Sequence, residues 1–220
     1  MPTQETPNRL LDAAENLFAQ HGLEGTSLRA ITTEAGANLA AVNYHFQSKE
    51  GLIAAVFQRR IEPLNKERLR LLDEALAVAA PKPPSLETIL QAFLAPALLM
   101  RVALEPGRVH CKRLLGRVFS EPSEIKVQVL GQFRPTMERF LEALALVLPD
   151  LPHPELLWRL HFLIGSMAHT CAAGDLIQVM SSGACDADDV EGILRRLTSY
   201  AAAGFRAPIT EPESHQGMMK

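Results

Sequence analysis

Asn38, Asn43, Tyr44, His45 and Lys49 fall within one short stretch, GANLAAVNYHFQSKEGL, between Gly36 and Leu52. Two amides, a phenol, an imidazole and an ammonium so close together make a set of hydrogen-bond donors suited to base edges and phosphodiester oxygens. Asn43 can pair bidentately with an adenine edge, and Leu39 or Ala40 can touch a thymine methyl. Tyr44, His45 and Lys49 can reach phosphate oxygens, as can the free amides of a helix opening near Ser48. Thr26, Ser27 and Arg29 are placed to hold the opposite backbone. Each residue also has a plainer reading. Asn43 alone would be a solvated helix residue, and Tyr44 a half-buried aromatic that holds its helix to the core. Lys49 would be an ordinary surface charge, although a cation in the first turn of a helix is electrostatically unfavourable. A phosphate opposite would explain it.

The other reactive side chains point to less. Cys111, Cys171 and Cys185 are odd in number and lack CxxC spacing. That argues against a disulfide framework or a zinc site and fits a reducing cytoplasm. Trp158, His161, Phe162, Gly165 and His169 recur at i, i+3, i+4, i+7 and i+11, one helical face that reads as a core or dimer stripe. His161 and His169 are about 12 Å apart along a helix, too far to share a metal. His110 and Cys111 are neighbours that face different ways, and Cys171 reads as a small apolar filler. A nucleophile with a base, a Gly-rich phosphate loop and a metal-ligand spacing are all missing, so neither an enzyme nor a cofactor is expected.

Charge gives no general field for nucleic acid. Net charge is −3, and the first sixty residues hold five Lys/Arg against six Asp/Glu. Any DNA contact must come from local placement of donors. No basic-then-apolar leader opens the chain, and the apolar runs are broken by Arg, His or Pro, so a cytoplasmic protein without a membrane span is expected.

The elements that position these residues read as helices. The chain is rich in Ala and Leu, poor in Tyr and Trp, and lacks strand-like alternation, which indicates an all-α fold. A first helix starts after Thr6, with Pro7 at its first position, and ends at His21-Gly22. Thr26 or Ser27 starts a second, Asn38 caps a third, and Ser48 starts a fourth that extends towards Ala80 with a kink or break near Pro63. Three short helices, the second and third joined by an Ala-Gly-Ala turn, make a helix-turn-helix. Ala35, Val42 and Phe46 face inward, leaving Leu39, Ala40, Asn43 and Tyr44 outward on a helix kept slim by Ala40 and Ala41. The major groove is only about 12 Å wide and demands that slimness. Beyond the stiff PKPPS connector, helices are expected over Ser85–Leu104, Gly107–Ser120, Glu121–Leu148, Pro154–Met180, and from Asp186 or Asp188 to about Phe205. Expected units are 1–57, 58–207 and a disordered tail, 208–220.

SLRAITTEAGANLAAVNYHFQSKEGLIAAVF resembles the N-terminal DNA-binding domain of the TetR family of transcriptional regulators. The resemblance rests on Gly36, on Tyr44 and Phe46 around His45, and on Ser48-Lys49-Glu50. The preceding LLDAAENLFAQHGLEGTSL is similar too, and the likeness covers residues 6 to 57. Ala41 and Asn43 replace the more usual threonine and tyrosine, which bears on the operator sequence. With LWRLHFLIG at Leu157 to Gly165, the chain is similar to the fatty-acid-responsive members that repress β-oxidation genes.

That resemblance implies a homodimeric repressor of a pseudo-palindromic operator, released when a small apolar effector, a fatty acid or acyl-CoA, enters the C-terminal domain. The implied pocket is walled by Phe93, Leu94, Ala97, Leu115, Phe119, Phe133, Met137 and Phe140 and closed by the helix of Trp158, His161, Phe162 and Gly165. Arg101, or one of Arg108, Arg113 and Arg117, would hold a carboxylate or phosphate head. Leu176, Ile177, Met180, Ile193, Leu197, Tyr200 and Ala201 are the expected dimer contacts. A drug or solvent sensor controlling an efflux pump is the alternative, and a redox switch through Cys111 or Cys171 is a further rival.

Overall fold

A computed structural model describes residues 5–102 and 123–209. Among these residues the protein is all-α, with ten helices and no strand. Four build the N-terminal unit: α1 (Glu5–His21), α2 (Leu28–Glu34), α3 (Leu39–Phe46) and the first half of α4 (Lys49–Ala79). The larger C-terminal unit adds α5 (Leu86–Val102), α6 (Ser123–Gly131), α7 (Arg134–Val147), α8 (His153–Ala172), α9 (Gly174–Met180) and α10 (Val190–Arg206).

The N-terminal caps are side-chain caps. Ser27 accepts from Ala30 N at 3.1 Å, Asn38 from Ala41 N at 2.9 Å and Ser48 from Gly51 N at 3.0 Å. Each satisfies an amide that a helix start would otherwise leave orphaned. Gly36 turns α2 into α3 at φ +57, a left-handed conformation that glycine adopts without steric cost. Gly51 answers a different need. A Cβ there would stand only 2.0 Å from Phe46 O, so α4 can begin this close behind α3 only with no side chain at that position.

Two cores share α4. Leu52, Ile53, Val56, Phe57 and Ile61 pack with Leu10, Phe18, Leu23, Ile31 and Val42 in the N-terminal core. Leu72, two turns beyond Leu64, joins Phe93, Leu94, Phe140, Leu160 and Phe205 in the C-terminal core. The N-terminal core also takes in a piece of the C-terminal unit. Val129 of α6 is fully buried in it, with Ile125 and Phe133 packed alongside. Gln132 Nε2 donates to Ala54 O, and Asn65 Nδ2 donates to Gln132 O, so the α6–α7 turn is bonded to α4 on both sides of Pro63.

Several expected boundaries are corrected. Pro63 does not break α4, which continues through it to Ala79 with the proline on the exposed side. The expected helix from Glu121 to Leu148 is two helices. Pro135 has no N–H for Gly131 O, and the chain turns at Gln132-Phe133 before α7 restarts with that proline in its first turn. The expected Pro154–Met180 helix divides at Ala173-Gly174 into α8 and α9. Asp189, not Asp186 or Asp188, caps α10, accepting from Gly192 N at 2.8 Å. Its carboxyl is held below the ordinary aspartate range, first by that amide and then by Arg196. The expected helix over Gly107–Ser120, with Arg108, His110, Cys111, Arg113, Leu115, Arg117 and Phe119, lies outside the described residues.

Gly51→Ala should cost about 2–3 kcal/mol, because the added methyl must displace backbone rather than a flexible side-chain end. Loss would appear as a lowered thermal midpoint with weakened DNA binding. A midpoint equal to wild type would show that the α3–α4 approach is not as tight as described.

Candidate nucleic-acid interface and effector chamber

α3 divides its residues sharply by exposure. Val42 is completely buried against α1 and α4, whereas Leu39, Ala40 and Asn43 are exposed and Tyr44 is 74% exposed. His45 and Phe46 are half-buried, and the Tyr44 ring meets His45 edge-on at 4.9 Å. The half-buried alternative for Tyr44 is therefore corrected. A helix of eight residues that shows an amide, a phenol and small aliphatic groups has the size and chemistry of a groove reader.

The flanks divide into donors that are available and donors that are not. Arg29 is exposed at the front of α2, and Ser27 is exposed although its oxygen caps that helix. Lys49 is half-buried, its Nζ donating to Glu24 O at 3.3 Å. Thr26 is a correction. It is buried, and its hydroxyl lies 2.7 Å from Gly22 O and 3.2 Å from Leu17 O, so it ties the loop to α1 and offers nothing to a phosphate.

Charge is also rearranged relative to a simple count. Arg59 and Arg60 both bond the buried carboxylate of Glu15, and Arg59 also bonds Asp12. Burial alone would lower the Arg59 pKa, but Glu15 and Asp12 outweigh it and hold the guanidinium charged. These cations join α1 to α4 and are not DNA donors.

In the C-terminal unit Phe93, Leu94 and Phe140 are buried together, with the two phenyl rings edge-on at 5.1 Å, and Met137 packs against them. Ala97 is half-buried, and its carbonyl receives Cys171 Sγ at 3.8 Å. Phe133 does not belong with them, since it packs on the N-terminal core. The α8 residues are displaced too. Trp158 and Phe162 are 58% and 61% exposed and stack at 5.8 Å, beside exposed His161 and Gly165. They form an outer surface, not the wall of a chamber inside one subunit. Of the expected dimer residues, Leu176, Ile177, Met180 and Tyr200 are exposed, but Leu197 and Ala201 are buried in their own subunit's core. The side chain of Arg101 lies outside the described residues. Between α5 and α10 an open cleft of about 520 Å³ is lined by Glu87, Gln91, Arg195, Thr198 and Arg206, away from the apolar residues expected to line a pocket.

Sequence reasoning missed two groups. One is Asn65 and Arg68, buried polar residues on the inward stripe of α4. Their signal is positional: with Ile61, Leu64 and Leu72 they fall where helical spacing calls for apolar residues. The other is Ile125, Val129 and Gln132, whose contact with the N-terminal unit has no local signature. Among the described residues no three His, Cys, Asp or Glu side chains are grouped to hold a metal ion, and no helix is long and apolar enough to cross a membrane.

Known proteins share sequence with both parts of the chain. Residues 10–56 match the family described as bacterial regulatory proteins, tetR family, and residues 91–204 match the tetracyclin repressor-like C-terminal domain. The transcriptional regulator AcrR of Shigella flexneri is 38% identical over 55 residues, 25% of this chain and 26% of its own. The nicotine-responsive repressor HdnoR of Paenarthrobacter nicotinovorans is 35% identical over 78 residues, 36% of this chain and 40% of its own. The chain thus spans well under half the length of these relatives. Solved structures extend the likeness in fold alone. The fatty acid degradation regulator FadR from Bacillus halodurans superposes with a TM-score of 0.66 at 14% identity, covering 94% of this chain and all of its own. FadR from Bacillus subtilis, solved in complex with stearoyl-CoA, gives 0.62 at 12% identity over 90% of this chain and 98% of its own. With residues 10–56 matched by one of these families and residues 91–204, more than half of the chain, by the other, the chain belongs to the TetR family of bacterial regulatory proteins.

Proposed function

We propose that this protein is a homodimeric, ligand-responsive transcriptional repressor whose α3 reads a pseudo-palindromic operator and whose effector is a long apolar molecule of the fatty-acid class. The observation that carries the DNA reading is the division of α3 into a buried Val42 and an exposed Leu39-Ala40-Asn43-Tyr44 face. In this reading Asn43 contacts a base edge. Tyr44, His45, Lys49, Arg29 and Ser27 hold phosphates, and Asn38 sets the start of the reading helix.

Two copies of α3 must stand about 34–36 Å apart to enter successive major grooves. The paired α8 and α10 helices of two subunits would set that distance as a four-helix interface. The exposed Trp158–Phe162 stack and Tyr200 support this surface, because large apolar side chains left in water are what a partner copy would cover. The route from effector to DNA runs through α4 and the α6–α7 turn, which bonds to both sides of Pro63. An effector that favours another placement of α4 changes the separation of the reading helices, and DNA opposes that effector by the same factor.

The ligand class rests on the buried phenyl and leucine side chains of α5 and α7, which suit a flexible hydrocarbon better than a polar metabolite. FadR from Bacillus subtilis, similar in fold, was solved with stearoyl-CoA.

Asn43→Ala should relax operator specificity at one base pair by about 1–3 kcal/mol, while Lys49→Ala should weaken all DNA binding and flatten its salt dependence. Salt-titrated anisotropy on matched and mismatched duplexes separates the two patterns, and finding them exchanged would reverse the roles. Trp158→Arg should shift the protein to monomer in sedimentation velocity and remove operator binding. A dimer as tight as wild type would place the subunit contact elsewhere. The reading as a whole is tested by capture of genomic DNA fragments on the purified protein. If no fragment is enriched over bulk DNA at moderate salt, the protein is not an operator-binding repressor.

A further inference from the structure

Arg68 is the most deeply buried charged side chain among the described residues, at 1% exposure. It sits on the inward stripe of α4 between Leu64 and Leu72, where a leucine would be expected. Its Nε donates to Phe93 O at 2.9 Å, its Nη2 reaches the Met167 sulfur at 3.3 Å, and its guanidinium lies 4.0 Å over the Phe93 ring. These partners are neutral groups, and the Cys171 thiol is the one titratable side chain of the described residues that acts on the guanidinium. Phe93 O accepts this bond from within α5, where the amide of Ala97 is its own ladder donor; the carbonyl that Pro96 leaves without an amide is that of Ala92. Among the described residues no carboxylate pairs with Arg68, and Nη1 donates to none of them.

A purely structural buried arginine looks different, and this protein contains one. Arg159 of α8 directs Nη1 to the carbonyls of Gly204, Phe205 and Ala207 at the end of α10, and Nη2 to Glu155. It caps a helix and is charge-paired. Arg68 has five N–H donors and meets one carbonyl and one thioether, which is a weak acceptor. Burial lowers its pKa to about 10 against a smaller opposing influence of the Cys171 thiol, which leaves it cationic at neutral pH. A buried charge that meets no carboxylate among the described residues and is not fully hydrogen-bonded by them is costly to retain.

We propose that Arg68 is the anchor of the effector site and that the effector is an amphiphilic monocarboxylate, bound head-inward with its carboxylate on the Arg68 guanidinium and its chain among Phe93, Phe140 and Met167. This rests on the ligand-responsive reading above and names its head group. A planar carboxylate matches the guanidinium fork with two parallel bonds and supplies the missing charge. A coenzyme A thioester does not. Its large polyanionic head must stay towards solvent, so the acyl tail would arrive at the buried cation and leave it unpaired. Arg68 also lies on the helix that leads back to α3, about 30 Å from Ser48 at 1.5 Å per residue. Neutralising its charge therefore acts directly on the element that carries the reading head.

The test uses dodecanoate, methyl dodecanoate and dodecanoyl-CoA below their micelle-forming concentrations, with affinity from calorimetry and melting followed by circular dichroism. The wild-type dimer should bind dodecanoate at least tenfold more tightly than either other probe and melt higher with it. Arg68→Met should lose at least tenfold in dodecanoate affinity, and Arg68→Lys should lie between. Equal or tighter binding of the ester or the thioester by wild type, binding of none of the three, or undiminished dodecanoate affinity in a folded Arg68→Met would each overturn the proposal. Should Arg68→Met not fold, the wild-type ranking of the probes decides alone. Operator binding without probes is measured in parallel. Its absence would sink the repressor reading, whereas intact operator binding without a dodecanoate preference sinks only the assignment of Arg68.

Discussion

One continuous helix serves two hydrophobic cores, and the rest of the molecule is arranged around that fact. α4 is 31 residues long, about 46 Å at 1.5 Å per residue. Its first half completes the core behind the reading helix, and its second half is packed between α5 and the remainder of the C-terminal unit. A helix bonded along its length moves as a rod, so neither core can repack without altering the other. Pro63 stands between the two halves. It deletes one backbone bond of the ladder without ending the helix, which leaves this place easier to bend than any other.

The contacts around that proline are polar and incompletely matched. On the N-terminal side Arg59 and Arg60 converge on buried Glu15, fixing α1 against α4. On the C-terminal side Asn65 and Gln132 bond the α6–α7 turn to α4, yet Asn65 Oδ1, Gln132 Oε1 and Arg59 Nε are buried without a partner. Buried unpaired polar atoms are uncommon, and each raises the energy of the arrangement that contains it. Here three of them gather where the C-terminal unit touches the N-terminal unit. A second arrangement that satisfies them need be only slightly different in geometry, which is the condition for a small displacement to select between two states.

Much of this was legible in the sequence, for reasons of local chemistry. Ser27, Asn38 and Ser48 announce helix starts because their side chains are the caps, and Gly36 announces a turn because its φ is positive. The outward face of α3 follows from spacing alone. What could not be read was long-range. Thr26 and Arg29 are both polar and three apart, and only the fold shows that one is bonded to the loop and α1 while the other is exposed. The Trp158 stripe has the spacing of a core face, and periodicity cannot say whether the covering partner is in the same subunit. The helix break at Gln132-Phe133 has a local cause in Pro135, whereas spacing alone does not place the one at Ala173-Gly174. Tertiary packing decides such boundaries more than propensity does.

Arg68 unites these threads. On an apolar stripe it looks like an exception to be explained by some distant carboxylate, and the described structure supplies none. Its neighbours instead are an aromatic face, a backbone carbonyl and a methionine sulfur, groups that tolerate a cation without neutralising it. Beside it, Pro96 loosens α5 and Met167 can change rotamer at little cost, so the surroundings can adapt around an entering chain. In the proposed complex the inward end of such a chain would meet the charge at a point on α4 beyond Pro63, while α3 hangs from the end before it. Electrostatic completion on one side of a hinge, with groove geometry on the other, gives differential binding to two placements of one rod. That difference is the requirement for a ligand to control DNA affinity at a distance.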